Sequence, residues 1–378
     1  MELTLVRLAG NEALPTLVVG PSLGTSVTAL WGACAELLAD RFHVVGWELP
    51  GHGRGAPTTE SFTVADLAAA VVDAVDRTLG PVPFAYAGDS VGGATGLHLA
   101  LDFPERVTGV AALCTGARIG TPDGWHERAA LVRASGTPVM VEGSARRWFA
   151  PGFLERRPEA GTALLHSLQD ADRESYSLVC EALAAYDVRD RLSSISVPVL
   201  AIGGSDDEAA PAALLGADAA AVPGARFVQL DGVAHQAPAE APSTVATLLV
   251  DFLRDRHHEA GMKVRRAVLG DAHVDRAVAG TTDVTRDFQD FITHYAWGSI
   301  WTRPGLARRD RSIAVLTALV AGRHFDELEF HLRAALTNGL TRDEIVEVLL
   351  QSAVYVGVPA ANTAFGVAKR VLGESADG

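Results

Sequence analysis

The chain has 378 residues, 48% hydrophobic and 21% charged, so it can bury sizeable cores, and two domains are expected from its length. A formal net charge of -14 argues against nucleic acid and anionic membrane as partners, yet leaves small anionic substrates open, because local arginines bind those. Three widely spaced cysteines, Cys34, Cys114 and Cys180, suggest neither a disulfide framework nor a thiolate metal site; without a leader-like start or a bilayer-length apolar run, a cytoplasmic location is expected.

In chain order, residues 16–19 form a short apolar run that reads as a strand, followed by the loop Gly20-Pro21-Ser22-Leu23-Gly24-Thr25. Residues 43–47 read as another strand, leading into a Gly-rich turn with His52. A helical spacing over 63–79, with Thr63 as N-cap, precedes the apolar run Phe84-Ala85-Tyr86-Ala87 and then Gly88-Asp89-Ser90-Val91-Gly92-Gly93. Strand, GxSxG and helix in succession predict a sharp turn that exposes the hydroxyl of Ser90 as a nucleophile, with Gly88 and Gly92 lacking the Cβ that would clash with the crossing strand and helix. That turn aims the backbone N–H of Val91 at an oxyanion next to Ser90, and the loop after the first apolar strand offers a second donor at Leu23. His52 precedes the serine, against the Ser, acid, His order of such folds, and is read as shaping its loop.

Residues 107–113 read as a strand. From about 119 to 191 helical segments follow one another without strands, carrying Trp125 and Trp148, and predict a cap over the sheet edge that lines a substrate pocket. The sheet resumes at 198–202 and ends in Gly203-Gly204-Ser205-Asp206-Asp207. A carboxylate here is where the acid of a triad belongs; Asp206 and Asp207 both qualify, and the spacing from the strand favours Asp206. After a strand at 226–230, His235 lies in a loop ahead of Pro238 and is the expected general base. An α/β fold with a mostly parallel sheet and a serine hydrolase mechanism without metal or cofactor follow from these residues.

The loop Pro21-Ser22-Leu23-Gly24-Thr25, the elbow around Ser90, and the cap segments Gly124-Trp125-His126-Glu127-Arg128 and Arg147-Trp148-Phe149 resemble those of β-ketoadipate enol-lactone hydrolases in the α/β-hydrolase family. The resemblance covers about residues 1–256 and implies hydrolysis of an enol-lactone.

The polar stretch 257–261, ending in Gly261, is expected to be a linker. Beyond it, residues 284–296, 311–321, 326–336 and 342–354 show helical spacing, with Thr341 and Glu344 forming a capping box, so residues 262–378 are expected to be all-α. The apolar faces of these helices predict a homo-oligomer formed through this half. Residues 265–271, 331–336 and 357–362 resemble γ-carboxymuconolactone decarboxylases. This implies decarboxylation of a lactone, with His331 as candidate acid oriented by Glu327, and Trp301, Arg303 and Arg311 as candidate substrate contacts. Gln351 stands where many members of that superfamily carry a histidine, and no cysteine is present in this half for thiol chemistry.

Together the resemblances imply a bifunctional enzyme acting on small anionic lactones, in which the product of the C-terminal half is the substrate of the N-terminal half. The competing expectation is a general serine esterase fused to a non-catalytic all-α oligomerisation module.

Overall fold

The apolar runs pair into one seven-stranded sheet made of β1 (Leu5–Ala9), β2 (Thr16–Gly20), β3 (His43–Trp47), β4 (Phe84–Asp89), β5 (Val107–Leu113), β6 (Val199–Gly204) and β7 (Arg226–Leu230). Their spatial order is β1-β3-β2-β4-β5-β6-β7. β1, which the sequence reading did not anticipate, runs antiparallel to β3, and every other pair is parallel. Strands β3, β4 and β6 are buried throughout, which explains why they appear in the sequence as continuous apolar runs rather than alternating ones. Helices α1 (Val27–Leu38), α2 (Val64–Leu79) and α3 (Val91–Asp102) cover the sheet. Thr63 and Asp66 close a reciprocal capping box on α2, a device that stabilises a helix by about 1 kcal/mol.

Between β5 and β6 the chain builds the cap from α4 (Pro122–Ser135), α5 (Val141–Trp148), α6 (Phe153–Arg156), α7 (Pro158–Asp170) and α8 (Arg173–Ala184), joined by short 3-10 turns. Helix α9 (Ala212–Ala220) connects β6 to β7, and the short α10 (Ala237–Glu240) follows β7. Because all the strands after β1 are parallel, the loops after β2, β4, β6 and β7 emerge at one edge of the sheet.

The computed structural model describes residues 1–373, apart from the side chains of residues 254–257 and 259. It divides into two units, Met1–Leu253 and Arg254–Gly378. The segment 257–261, expected to be a linker, is helical, since α11 runs unbroken over Pro242–Leu269. Gly261 there is not a chain breaker. A Cβ on it would lie 2.1 Å from the Thr293 carbonyl oxygen and 2.8 Å from the Gly298 nitrogen, so glycine permits a close backbone approach inside the second unit. Gly270, at φ +82, is where that helix stops.

The second unit continues with α12 (Asp271–Ala279), α13 (Arg286–Ile292), a π-helix (Thr293–Ile300), α14 (Arg308–Gly322), α15 (Phe325–Thr337), α16 (Arg342–Val356) and α17 (Val358–Gly373). It has no strand among the described residues. Leu316, Val320, Leu328, Leu332, Ile345 and Leu349 are fully buried at its centre, contributed by α14, α15 and α16 at helical spacing.

The sheet edge tolerates no side chain at Gly92, where a Cβ would lie 2.7 Å from the backbone of both Gly20 and Pro21. Gly92→Ala is therefore expected to lower stability by about 2 kcal/mol or more, whereas Gly32→Ala, in open space within α1, should raise it by up to about 1 kcal/mol. Calorimetric unfolding of both variants checks this, and a neutral Gly92→Ala would contradict it.

Candidate active sites

In the first unit the chain turns from β4 into α3 at Ser90, which has φ 54 and ψ -117. Such a conformation costs a non-glycine residue about 1–3 kcal/mol, and the surroundings hold it. The Ser90 N–H donates to the Leu113 carbonyl at 2.8 Å, and the Thr115 hydroxyl donates to the Ser90 carbonyl at 2.7 Å. A Cβ at Gly88 would fall 2.2 Å from the Gly92 carbonyl oxygen, so both glycines flanking the serine are sterically required, as expected. Below the elbow, the Trp47 indole N–H donates to the Tyr86 hydroxyl at 3.1 Å, and that hydroxyl donates to the Gly92 carbonyl at 2.8 Å.

His235, in the loop after β7, lies with Nε2 3.0 Å from Ser90 Oγ and Nδ1 2.8 Å from Asp207 Oδ2. The imidazole is therefore held between hydroxyl and carboxylate in the geometry of a proton relay. The carboxylate that meets the imidazole is that of Asp207, not the expected Asp206. Asp206 is exposed and its Oδ1 pairs with the Ser205 hydroxyl at 2.9 Å, whereas Asp207 is buried and its Oδ1 accepts from the N–H groups of Ala209 and Ala210 at 2.8 and 2.9 Å. Spacing from the strand misled because β6 extends to Gly204 and the following turn brings the second carboxylate inward. His52 is buried away from this relay, its Nδ1 2.8 Å from the Pro50 carbonyl and its ring stacked on Tyr176.

The loop after β2 lies against the elbow. The Gly92 N–H donates to the Pro21 carbonyl at 2.9 Å, and Gln236 Nε2 reaches Ser22 Oγ at 3.4 Å. Among the described residues, the N–H groups of Leu23 and Val91 have no partner; Val91 opens α3, where the first N–H groups point out of the helix. The Trp148 indole lies over this loop, since a Cβ on Gly24 would meet its ring at 3.2 Å, and the Trp148 carbonyl accepts from the His235 N–H at 3.1 Å. Trp125 is half-buried and donates to the Ile119 carbonyl at 2.6 Å, with the Arg128 guanidinium 5.1 Å from its ring centroid.

Sequence reasoning passed over four ionisable groups here. Both Asp89 carboxylate oxygens are buried without a hydrogen-bond partner among the described residues. Burial first, then the charges of Asp207 and Glu240, push its carboxyl well above the usual range. Glu240 accepts from the N–H groups of Ala234, Ala150 and Gln236, pinning the histidine loop to the cap. Arg128 and Arg147, half-buried in the cap, form no ion pair among the described residues; burial and the Arg128 charge lower the Arg147 pKa. The signal available for these residues was their place in motifs already singled out, as the variable position of GxSxG and the arginines of the cap segments.

In the second unit His331 and Glu327 lie one turn apart on α15. Burial, and then the neighbouring His273, push His331 down to about 4 against the opposing pull of Glu327. The imidazole is thus neutral at pH 7. The rings of His273 and His331 flank Phe330 at 4.8 and 4.7 Å. Trp301 packs on Trp297 at 5.1 Å. Arg303 is exposed, and Arg311 directs Nη2 to the Arg303 carbonyl at 2.7 Å and Nε to the Leu306 carbonyl at 3.2 Å, closing a turn. Gln351 is exposed on α16, its Nε2 3.5 Å from the Tyr355 hydroxyl. Among the described residues, no group of acidic, histidine or cysteine side chains is arranged to hold a metal.

The family model described as alpha/beta hydrolase fold matches residues 15–143, and that of the Carboxymuconolactone decarboxylase family matches residues 286–370. The chain is 37% identical over 199 residues to 3-oxoadipate enol-lactonase 2 of Acinetobacter baylyi, covering 52% of this chain and 73% of that protein. It is 43% identical over 118 residues to 4-carboxymuconolactone decarboxylase of the same organism, covering 31% of this chain and 88% of that one. The crystal structure of the enol-lactonase from Burkholderia xenovorans LB400 superposes with a TM-score of 0.62 at 32% identity, covering 66% of this chain and 96% of that one. With Ser90, His235 and Asp207 in register on an α/β-hydrolase sheet and a helical unit behind it in sequence, the chain belongs to both families, an enol-lactonase-type α/β hydrolase followed by a carboxymuconolactone decarboxylase.

Proposed function

We propose that this chain catalyses two consecutive steps of the β-ketoadipate pathway. The second unit decarboxylates 4-carboxymuconolactone to 3-oxoadipate enol-lactone, and the first hydrolyses that lactone to 3-oxoadipate. The observation that carries the reading is that each half separately matches an enzyme of one of these two activities over most of that enzyme's length, 73% and 88%.

In the first unit His235 takes the Ser90 proton across 3.0 Å, and Ser90 attacks the lactone carbonyl. The N–H groups of Leu23 and Val91 hold the tetrahedral oxyanion, and Asp207 stabilises the imidazolium through Nδ1–H. Ring opening expels an enolate, a weaker base than an alkoxide, which takes the proton from His235 and tautomerises to the ketone. Water, deprotonated by His235, then releases the acid. Arg128 and Arg147 supply the charge for the substrate carboxylate beside Trp125 and Trp148.

In the second unit the bond to the departing carboxylate breaks, and its electron pair delocalises through the double bond onto the lactone carbonyl. The substrate is its own electron sink, so the chemistry calls for no cofactor. His331, charged once the anionic substrate lies beside it, returns a proton to carbon, oriented by Glu327. Trp301, Arg303 and Arg311 border this site. The chain is read as a homo-oligomer through this unit, because Val354, Tyr355 and Val358 expose 77%, 78% and 76% of their surface on its last two helices.

With 4-carboxymuconolactone as sole substrate, wild type should yield CO2 and 3-oxoadipate. Ser90→Ala should release CO2 and accumulate enol-lactone, and His331→Ala should slow CO2 release by about 10²–10⁴-fold while hydrolysing added enol-lactone normally. A Ser90→Ala protein that still forms 3-oxoadipate at the wild-type rate contradicts the nucleophile assignment. Asp207→Asn is expected to lower lactonase kcat by roughly 10⁴-fold and Asp206→Asn to leave it within about twofold, measured on purified enol-lactone. Paired Val354→Asp and Tyr355→Asp changes should lower the mass seen by light scattering, and an unchanged mass would place the interface elsewhere.

A further inference from the structure

Arg265, on α11, is only 4% exposed, and its positive charge has no carboxylate partner among the described residues. Its Nη1 donates to the Thr293 hydroxyl at 3.1 Å and its Nη2 to the Gln289 amide oxygen at 3.0 Å, both neutral acceptors. Its Nε is buried with no acceptor. The contrast with the adjacent residue is sharp, since Arg266 is paired with both Asp271 and Asp275 at the surface. The acid nearest in sequence to Gln289, Asp290, lies 3.7 Å from His258 instead. A buried guanidinium without an anion is costly, and folds retain one where a ligand completes it.

The surroundings are specialised. Thr293, which holds one arm of Arg265, is the first residue of the π-helix, a form that recurs at functional sites. The π-helix backbone meets α11 at Gly261, one turn before Arg265. Trp297 of the same π-helix packs with Val268 of α11 and Ala334 of α15, so the helices bearing Arg265 and His331 share one apolar cluster. His273 is within electrostatic reach of Arg265 on one side and of His331 on the other.

We infer that Arg265 is the buried anchor for a substrate carboxylate in the decarboxylase unit, with its unpaired Nε and the neighbouring Nη2 as the bidentate edge, and that the carboxylate it takes is the one the substrate keeps. The inference rests on the decarboxylase reading of this unit. An ion pair to the departing carboxylate would stabilise the ground state as charge leaves that group, whereas an ion pair to the retained one holds ground and transition states alike. Arg303 and Arg311, exposed or engaged in closing a turn, are then left at the margin. The Nε edge is shut off from water, so a carboxylate bound there is dry and its charge-assisted hydrogen bonds are strong, and admitting it requires the side chains around it to part.

The test uses the full chain. Arg265→Met keeps volume and removes charge, and Arg265→Lys keeps charge and removes the fork. With 4-carboxymuconolactone, the Met variant should raise KM for CO2 release by 30-fold or more with kcat within about fivefold, and the Lys variant should fall between. Adipate, a non-reacting dicarboxylate, should raise the unfolding midpoint of the second unit in wild type and not in the Met variant. A merely structural arginine would instead lower kcat and the midpoint together at unchanged KM, and that result overturns the assignment. So does a KM for either variant within twofold of wild type, or an adipate shift that survives in the Met variant. If the Met variant does not fold, the Lys variant decides by KM. If wild type releases no CO2, the decarboxylase reading falls, while an Arg265-dependent adipate shift still upholds the anion site.

Discussion

The first unit depends on a contact in which there is no room for a side chain, the crossing of α3 over the loop after β2 at Gly92. That crossing sets the Gly92 N–H on the Pro21 carbonyl and so fixes the loop that carries Leu23 against the start of α3. Ser90 is strained at φ 54, and the strain is maintained by bonds with Leu113 at the end of β5 and with Thr115 just beyond it, and by the buried Trp47–Tyr86 pair under the turn. The cost is recovered in preorganisation, because a nucleophile and its oxyanion donors that are already in place need not reorganise during reaction.

Around that crossing the carboxylates divide their roles by environment. Asp207 faces the imidazole and accepts from two N–H groups, and Glu240 accepts from three backbone N–H groups of the loops that flank His235. Asp89, fully buried with the carboxylates of Asp207 and Glu240 nearby, is pushed well above the usual carboxylate range. Three acids within one site thus differ in environment because they differ in burial and in hydrogen-bond donors.

The second unit solves a different problem. Its chemistry needs no nucleophile, only cations placed against carboxylates and a proton source for carbon. Burial lowers the pKa of both His331 and His273, helped by the charge of His273 at His331 and by those of Arg265 and Arg276 at His273. The close approach at Gly261 and the wide turn of the π-helix bring α11, α13 and α15 around this group.

Much of this was legible in the sequence. The continuous apolar runs could only be strands buried on both faces, the two glycines around Ser90 announced the elbow, and Thr63 and Thr341 marked the starts of their helices through local hydrogen bonds. Identities of Ser90 and His235 followed from residue type and chain order, which are local properties. What tertiary structure alone decided was which atoms meet. Asp206 and Asp207 are adjacent and chemically identical, and only the turn after β6 determines which faces His235. Gly261 looked like a break and is a contact, because a glycine's reason lies in the partner backbone that approaches it. Arg265 and Arg266 stand side by side in one motif, and the sequence does not distinguish them, since burial and the lack of an anion are properties of the packed fold, not of the residue.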